Sequence, residues 1–299
     1  IGDGCNHRCR FCTIPSIRGP LRSTTQSELV AEAREVLERG VSEIALVAQD
    51  VTAYGLDQGD RHALARLIEG LLPLPGLRWL RLLYLYPSGL TEDLLRFLSG
   101  IMTGGNTPLL PYFDIPLQHC HPEILAAMGR PHAAPAEAIL DRVRSAVPNS
   151  VIRTSLIVGY PGETEAHFQS LVDFVARQRL QHVGVFPFYP EAGTPAARLH
   201  PRVPARERLA RRDTIMALQA EISREFLESK VGETLEVLVD APHPDWPGLH
   251  TGRAWFQAPE ADGVTYVSGP GEVGEPGESL PVVAPGRMVR AEITEATDY

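Results

Sequence analysis

Three cysteines fall within eight residues, Cys5, Cys9 and Cys12, in the spacing Cys-x3-Cys-x2-Cys. Thiolates are soft ligands. Three of them on one tight loop can hold three irons of a 4Fe–4S cube and leave the fourth iron without a protein ligand. An open iron can be chelated by a small molecule that carries an amino and a carboxylate group. The competing reading is structural zinc, which closes four ligands and whose usual signature is a pair of Cys-x2-Cys motifs. The fourth cysteine, Cys120, stands far along the chain and reads as a free buried thiol. Three clustered cysteines and one distant one do not make a secreted disulfide scaffold.

A loop of this kind needs a scaffold to aim it. Residues 1–190 alternate β-rich runs with helix-period segments, the pattern of βα units around a parallel sheet. The strand candidates are Glu43–Ala48, Arg78–Tyr84, Tyr112–Pro116, Val151–Val158 and His182–Phe188. Helical stretches lie near Gln26–Arg39, Arg61–Leu72, Thr91–Ser99, Pro122–Met128, Pro135–Ala146 and Glu163–Gln178. This is an α/β chain whose unit spacing suits a full or partial TIM-like barrel, and such barrels gather their sites at the C-terminal ends of strands. Gln49 and Asp50, Gln118 and His119, and the turn Gly159–Glu163 follow three of the strands and are expected to face the cysteine loop. Gly159 and Gly162 are expected to let backbone amides approach a ligand. His119 reads first as a core hydrogen-bonding histidine.

A helix-period segment, Ala205–Lys230, carries Leu209, Met216, Gln219, Ile222 and Phe226, with Gly232 ending it. Beyond it, Leu235–Val239, Gly252–Phe256, Val264–Val267 and Met288–Ile293 read as short strands between Gly/Pro turns, a small OB-like all-β barrel. Trp246 and Trp255 read there as core or rim aromatics. The expected division is 1–203 for the barrel core, 204–230 for a linker helix and 231–299 for the β-barrel.

The net charge of −9 is unevenly placed. From Lys230 to Tyr299 twelve acidic residues outweigh four basic ones, a balance of −8 that leaves −1 for residues 1–229. An acidic module repels phosphate backbones and attracts basic proteins. There is no apolar run of membrane-spanning length and no signal-peptide pattern at the first residues, so a cytoplasmic protein without membrane contact is expected.

The cysteine loop, with Phe11 just before the last cysteine, resembles that of the radical S-adenosylmethionine superfamily. Further stretches resemble its methylthiotransferase branch: Cys12–Gly19 followed by Arg22-Ser23, Gln49–Gly55, Ile115–His119, and Arg153–Ser155 running on through Gly159, Gly162, Glu163 and Thr164. In the tail, Gly252–Trp255, Ala258–Gly263 and the closing Asp298-Tyr299 are similar to a TRAM domain of that branch. The resemblance covers essentially the whole chain and is strongest to enzymes that convert an aspartate of small-subunit ribosomal protein twelve to its β-methylthio form. It implies a radical SAM-type partial barrel with a C-terminal TRAM barrel. It also implies a 4Fe–4S cluster on Cys5, Cys9 and Cys12, shielded by Phe11, and S-adenosylmethionine held by Gln49, Asp50, Gln118, Arg153, Ser155, Gly159, Gly162 and Glu163. Arg153 is the residue suited to the carboxylate.

The implied partners are a basic ribosomal protein as substrate and a flavodoxin- or ferredoxin-type reductant. Family members carry three more cysteines for an auxiliary cluster in a preceding domain, and only Cys120 remains here to supply any. These residues are therefore expected to bind one cluster and cleave S-adenosylmethionine without inserting sulfur. The rival readings are a tRNA methylthiotransferase acting on a modified adenosine, a non-catalytic ribosome-binding module, and another radical chemistry with an unrelated tail. The acidic tail weighs against direct tRNA binding, because phosphate contacts dominate RNA affinity.

Overall fold

In the computed structural model of the chain, residues 1–105, 107–130, 134–269 and 283–297 are described. Two-residue strands β1 (Gly2–Asp3) and β2 (Arg22–Ser23) pair antiparallel and bracket the cysteine loop and a short helix, α1 (Ile14–Ile17). Then come α2 (Gln26–Glu38), β3 (Glu43–Leu46), α3 (Ala63–Leu71), β4 (Trp79–Leu82), α4 (Glu92–Met102), β5 (Tyr112–Asp114), α5 (Pro122–Ala127), α6 (Ala136–Ala146), β6 (Val151–Val158), α7 (Glu165–Gln178) and β7 (His182–Pro187). Every expected strand and helix of this half is present, most with trimmed ends, while α4 runs past the expected Ser99 to Met102.

Local chemistry starts the helices. Thr25 caps α2 and exchanges hydrogen bonds with Glu28 in a capping box, and Thr164 and His167 do the same for α7. Thr91 caps α4, and His121 caps α5 ahead of Pro122. Pro135, expected as the first helical residue of α6, sits one position earlier as its N-cap.

Strands β3 and β4 pair in parallel, as do β5, β6 and β7 in that order. The two sets join where Leu80 N donates to Pro108 O (2.7 Å) and Leu110 N to Leu80 O (3.0 Å). The result is a five-stranded parallel half-barrel. Its convex side packs Leu46, Leu80, Leu82, Phe113, Ile152, Leu156 and Val158 against the helices in one apolar core. Burial alternates along β6, so Arg153, Ser155 and Ile157 project to the opposite, concave side.

Helix α8 (Ala205–Glu228) follows and buries Arg211, Ile215, Gln219, Ile222 and Ser223. Leu209, expected on that buried face, is exposed, and Arg211 takes its place because Glu163 neutralises it inside. Beyond lie β8 (Thr234–Pro242), β9 (Leu249–Ala254), β10 (Thr265–Ser268) and β11 (Met288–Glu292), one antiparallel sheet of order β10-β9-β8-β11, bulged between Val239 and Ala241. This curled sheet is the OB-like element. Glu272, Glu275, Glu278 and the Asp298-Tyr299 pair lie outside the described residues.

The β-domain closes the N-terminal mouth of the half-barrel. Leu238, Ala254, Phe256 and Ala258 pack on Trp79, Leu110, Tyr112 and Val151. Above this apolar contact sits a polar layer with one residue from each parallel strand: Glu43, Arg81, Asp114, Arg153 and His182. Arg81 donates to Glu43 (2.8 Å) and to Trp255 O (2.9 Å), and Arg253 reaches Glu43 (2.5 Å). Arg153 bridges Asp114 (3.0 Å) and Asp262 (3.2 Å). His182 Nε2 lies 2.8 Å from Phe256 O. Buried charges are tolerable only when paired, and each of these is.

Candidate functional site

The cysteine loop crosses the opposite, C-terminal mouth and is fixed from several sides. Gly4 has φ +75°, and a Cβ there would lie 2.2 Å from Pro20 O, so only glycine lets the loop leave β1. Cys5 N then donates to Gly19 O (3.1 Å). Arg10 N donates to Met128 O (2.8 Å), and Ala196 N to Arg10 O (2.9 Å). Phe11 packs into an apolar cluster with Ile124, Met128, Tyr160, Phe188 and Ala196. It therefore anchors the loop to α5 and to the chain beyond β7.

All three loop cysteines are free thiols and partly buried. Each sulfur accepts one N–H: Cys5 from His7 N (3.4 Å), Cys12 from Ile14 N (3.4 Å) and Cys9 from Arg130 Nη1 (3.5 Å). Burial pushes the Cys5 and Cys12 thiols up. The backbone N–H opposes this in each case, and Arg130 also favours the Cys12 thiolate.

The surroundings of the loop form one polar stack. His7 Nε2 lies 2.7 Å from Asp50 Oδ2, and the other Asp50 oxygen accepts from Thr52 N (2.9 Å) and Thr52 Oγ1 (2.5 Å). The His7 ring stacks on Tyr86 at 3.7 Å and 10°. The Arg130 guanidinium lies 4.3 Å from the Tyr86 centroid and donates to Pro116 O (2.7 Å). Arg130 is 5% exposed, and its buried Nε–H has no hydrogen-bond partner among the described residues. A cavity of about 750 Å³ borders Gly4, Cys5, His7, Asp50 and Thr52. His7, Tyr86 and Arg130 escaped the sequence reading. Tyr86 and Arg130 lie just past strand β4 and helix α5, where the strand-end rule for barrels could have found Tyr86.

The other expected site residues divide. Gln49 is exposed beyond β3. Gln118 and Ser155 share the concave side and are joined by Gln118 N to Ser155 O (2.8 Å). Gln118 holds φ +71°, a conformation a non-glycine residue keeps only when its surroundings enforce it.

Four expectations need correction. Arg153 sits at the other end of β6, its guanidinium engaged by Asp114 and Asp262, so it serves the domain contact and not a ligand carboxylate. Burial weighs against its charge, but Asp114, Tyr112 and Asp262 hold its pKa above the usual arginine value. Glu163 is buried and accepts Gly159 N on both oxygens (2.9 Å each) and Arg211 Nη1 (2.7 Å). Burial favours its neutral form, yet His119, the Gly159 amide and Arg211 keep it below the ordinary carboxylate range. The Gly159 amide is thereby occupied, and Gly162 N donates to Pro201 O (3.0 Å). Neither amide is free for a ligand. Gly159 is required for a different reason: a Cβ there would lie 2.1 Å from Arg208 Cγ of α8.

His119 is fully buried, with Nδ1 accepting His121 N (2.9 Å) and Nε2 lying 3.6 Å from Glu163. Cys120 donates weakly to Ser170 O (3.6 Å), and burial pushes its thiol up to about 12. His121, Glu123 and His167 bring three ligand atoms within 4.8 Å. Both ring Nδ1 atoms there accept backbone N–H bonds. His167 Nε2 lies 3.2 Å from Glu123, within hydrogen-bond distance.

The family model of the radical SAM superfamily matches residues 1–175, and that of the TRAM domain residues 231–299. The chain is 54% identical over 299 residues to a ribosomal protein uS12 methylthiotransferase, RimO, of Nitratidesulfovibrio vulgaris and to that of Oleidesulfovibrio alaskensis. It is 47% identical to that of Lawsonia intracellularis. All of this chain is covered, and it spans 66%, 66% and 64% of these relatives' lengths. Among solved structures it is similar in fold to the radical S-adenosylmethionine methyltransferase TsrM from Kitasatospora setae (TM-score 0.51, 17% identity, 88% of this chain and 42% of that one). The coproporphyrinogen III oxidase HemN from Escherichia coli, a radical SAM enzyme, is likewise similar (TM-score 0.52, 18% identity, 75% and 52%).

Proposed function

The chain belongs to the radical S-adenosylmethionine superfamily, and on that footing we propose that it is the catalytic core of a methylthiotransferase acting on an aspartate of ribosomal protein uS12. The observation that carries this reading is the cysteine trio: three free thiols, each with one N–H aimed at its sulfur, on a loop fixed across the mouth of a half-barrel. The donor set fits a 4Fe–4S cluster. So does the orphaned Nε–H of Arg130, a buried donor that costs about 1–3 kcal/mol unless an acceptor arrives.

Cys5, Cys9 and Cys12 hold the cluster in this proposal, with Phe11 excluding water. A 4Fe–4S cluster bound there would supply the one-electron reductive cleavage of the sulfonium bond of S-adenosylmethionine. Gln49, Gln118 and Ser155 offer polar contacts to the cosubstrate on the concave side. Asp50 acts through His7, orienting the loop.

The functional division we propose is 1–203 for cleavage chemistry, 204–230 for the connecting helix and 231–299 for recognition. The recognised partner is the basic ribosomal protein, and direct tRNA binding is not part of the proposal, because the acidic β-domain would repel phosphates. Electrons come from a flavodoxin- or ferredoxin-type protein, and the sulfur from an auxiliary cluster held outside these residues. No helix among the described residues is long and apolar enough to cross a membrane. The proposed location is the cytoplasm.

The test is anaerobic reconstitution with iron and sulfide, followed by dithionite and S-adenosylmethionine. Close to four irons per chain and release of 5′-deoxyadenosine are expected for one such cluster. A colourless, iron-free chain would end the proposal.

A further inference from the structure

Two of the three loop sulfurs receive their N–H from the loop's own backbone, Cys5 from His7 and Cys12 from Ile14. Among the described residues, the donor to Cys9 is a side chain from more than a hundred residues away, Arg130 Nη1 at 3.5 Å. This guanidinium is tightly held. Nη2 is fixed on Pro116 O, one face lies on Tyr86, Tyr86 stacks on His7, and His7 is bonded to Asp50. Gly129 makes the approach possible. It has φ +71°, and a Cβ there would lie 2.8 Å from Arg8 O in the cysteine loop.

We propose that Arg130 is a positioning and potential-setting residue for the cluster, supplying through Cys9 the third N–H···S bond and a buried positive charge beside the thiolates. The inference rests on the reading of the cysteine trio as cluster ligands. Hydrogen bonds to the sulfurs and nearby positive charge stabilise the more negative, reduced state of an iron–sulfur cluster and so raise its midpoint potential. With a cluster held by Cys5, Cys9 and Cys12, the Arg130 guanidinium would stand beside the Cys9 thiolate and would favour the reduced form that an external one-electron donor generates. Lysine cannot reproduce this, because a single ammonium lacks the planar fork that serves Pro116 O and Cys9 Sγ together.

The test is a dithionite-poised potentiometric titration of the reconstituted full chain, followed by its electron paramagnetic resonance signal, with Arg130→Met and Arg130→Lys beside the parent. Parent and variants are expected to hold equal iron. The midpoint of Arg130→Met should shift to more negative potential, and that of Arg130→Lys should shift less in the same direction. If Arg130→Met holds no iron, Arg130→Lys decides alone. Equal midpoints at equal iron content overturn the role of Arg130 while leaving the cysteine assignment intact, and an iron-free parent overturns both.

Discussion

Arg153 and Asp262, one on strand β6 of the half-barrel and the other in the β-domain, meet at 3.2 Å in a buried layer that also takes in Tyr112 and Asp114. Asp262 further accepts Ala258 N (2.9 Å), so a single carboxylate orders the turn that plugs the barrel and neutralises the arginine beneath it. Asp262→Ala removes the acceptor of Tyr112, Ala258 N and one Arg153 N–H while Asp114 still pairs the arginine, and should therefore cost roughly 1–3 kcal/mol, the cost of buried donors left without an acceptor. Urea unfolding checks this. Iron content of the folded fraction should not change, because the layer lies at the far end of the strands from the cysteines.

Each of Cys5→Ala, Cys9→Ala and Cys12→Ala should abolish 5′-deoxyadenosine release and lower bound iron. Cys120→Ala removes a thiol with only a weak bond to Ser170 O, and it should change stability by no more than about 1 kcal/mol and leave iron binding alone. Chromatography of the cleavage products and iron analysis decide both. Survival of cleavage in any one of the three loop variants would defeat the cluster assignment.

The glycines separate strain from collision. Gly4→Ala drives a methyl into Pro20 O at a positive φ and should dismantle the cysteine loop, with loss of iron binding. Gly162→Ala meets nothing within 4 Å and carries only the backbone penalty, on the order of 1 kcal/mol. The two variants compared for iron per chain and melting temperature should differ in the first reading far more than in the second.

Glu163→Gln keeps the shape but removes the charge facing Arg211. A loss of roughly 1–3 kcal/mol in unfolding free energy is expected, because Arg211 keeps Glu207 (3.0 Å) and Glu165 (3.3 Å) as partners. Affinity for S-adenosylmethionine, measured by calorimetry on folded protein, should change little. A large affinity loss at unchanged stability would return Glu163 to the ligand site.

Acid should weaken the fold through its buried histidines. Burial lowers the pKa of both His119 and His182 from 6.5, against the pull of Glu163 on the first and of Asp262 and Phe256 O on the second. Above pH 6.5 both states are neutral and the histidines contribute nothing to the pH slope. Below it the unfolded chain takes up protons that the folded chain refuses, so stability falls by up to about 1.4 kcal/mol per pH unit for each histidine. Melting temperatures between pH 7.5 and 5.5 should show this drop, and it should shrink in His182→Asn.

The sequence by itself determined the order of elements and the chemistry of the loop. Alternating β-rich and helix-period runs and the cysteine spacing are local signals, readable because strand pairing, helix periodicity and thiolate ligation depend on neighbours along the chain. Tertiary structure alone decided which polar residues face which mouth of the barrel. Arg153 lies only six residues before Gly159, yet one strand carries them to opposite ends, and whether a guanidinium meets a ligand or Asp262 depends on a domain that begins some eighty residues later. The stack of His7, Tyr86 and Arg130 was equally hidden. Its members come from three separate segments, and nothing in any one of them states that folding will bring the others within reach of Cys9.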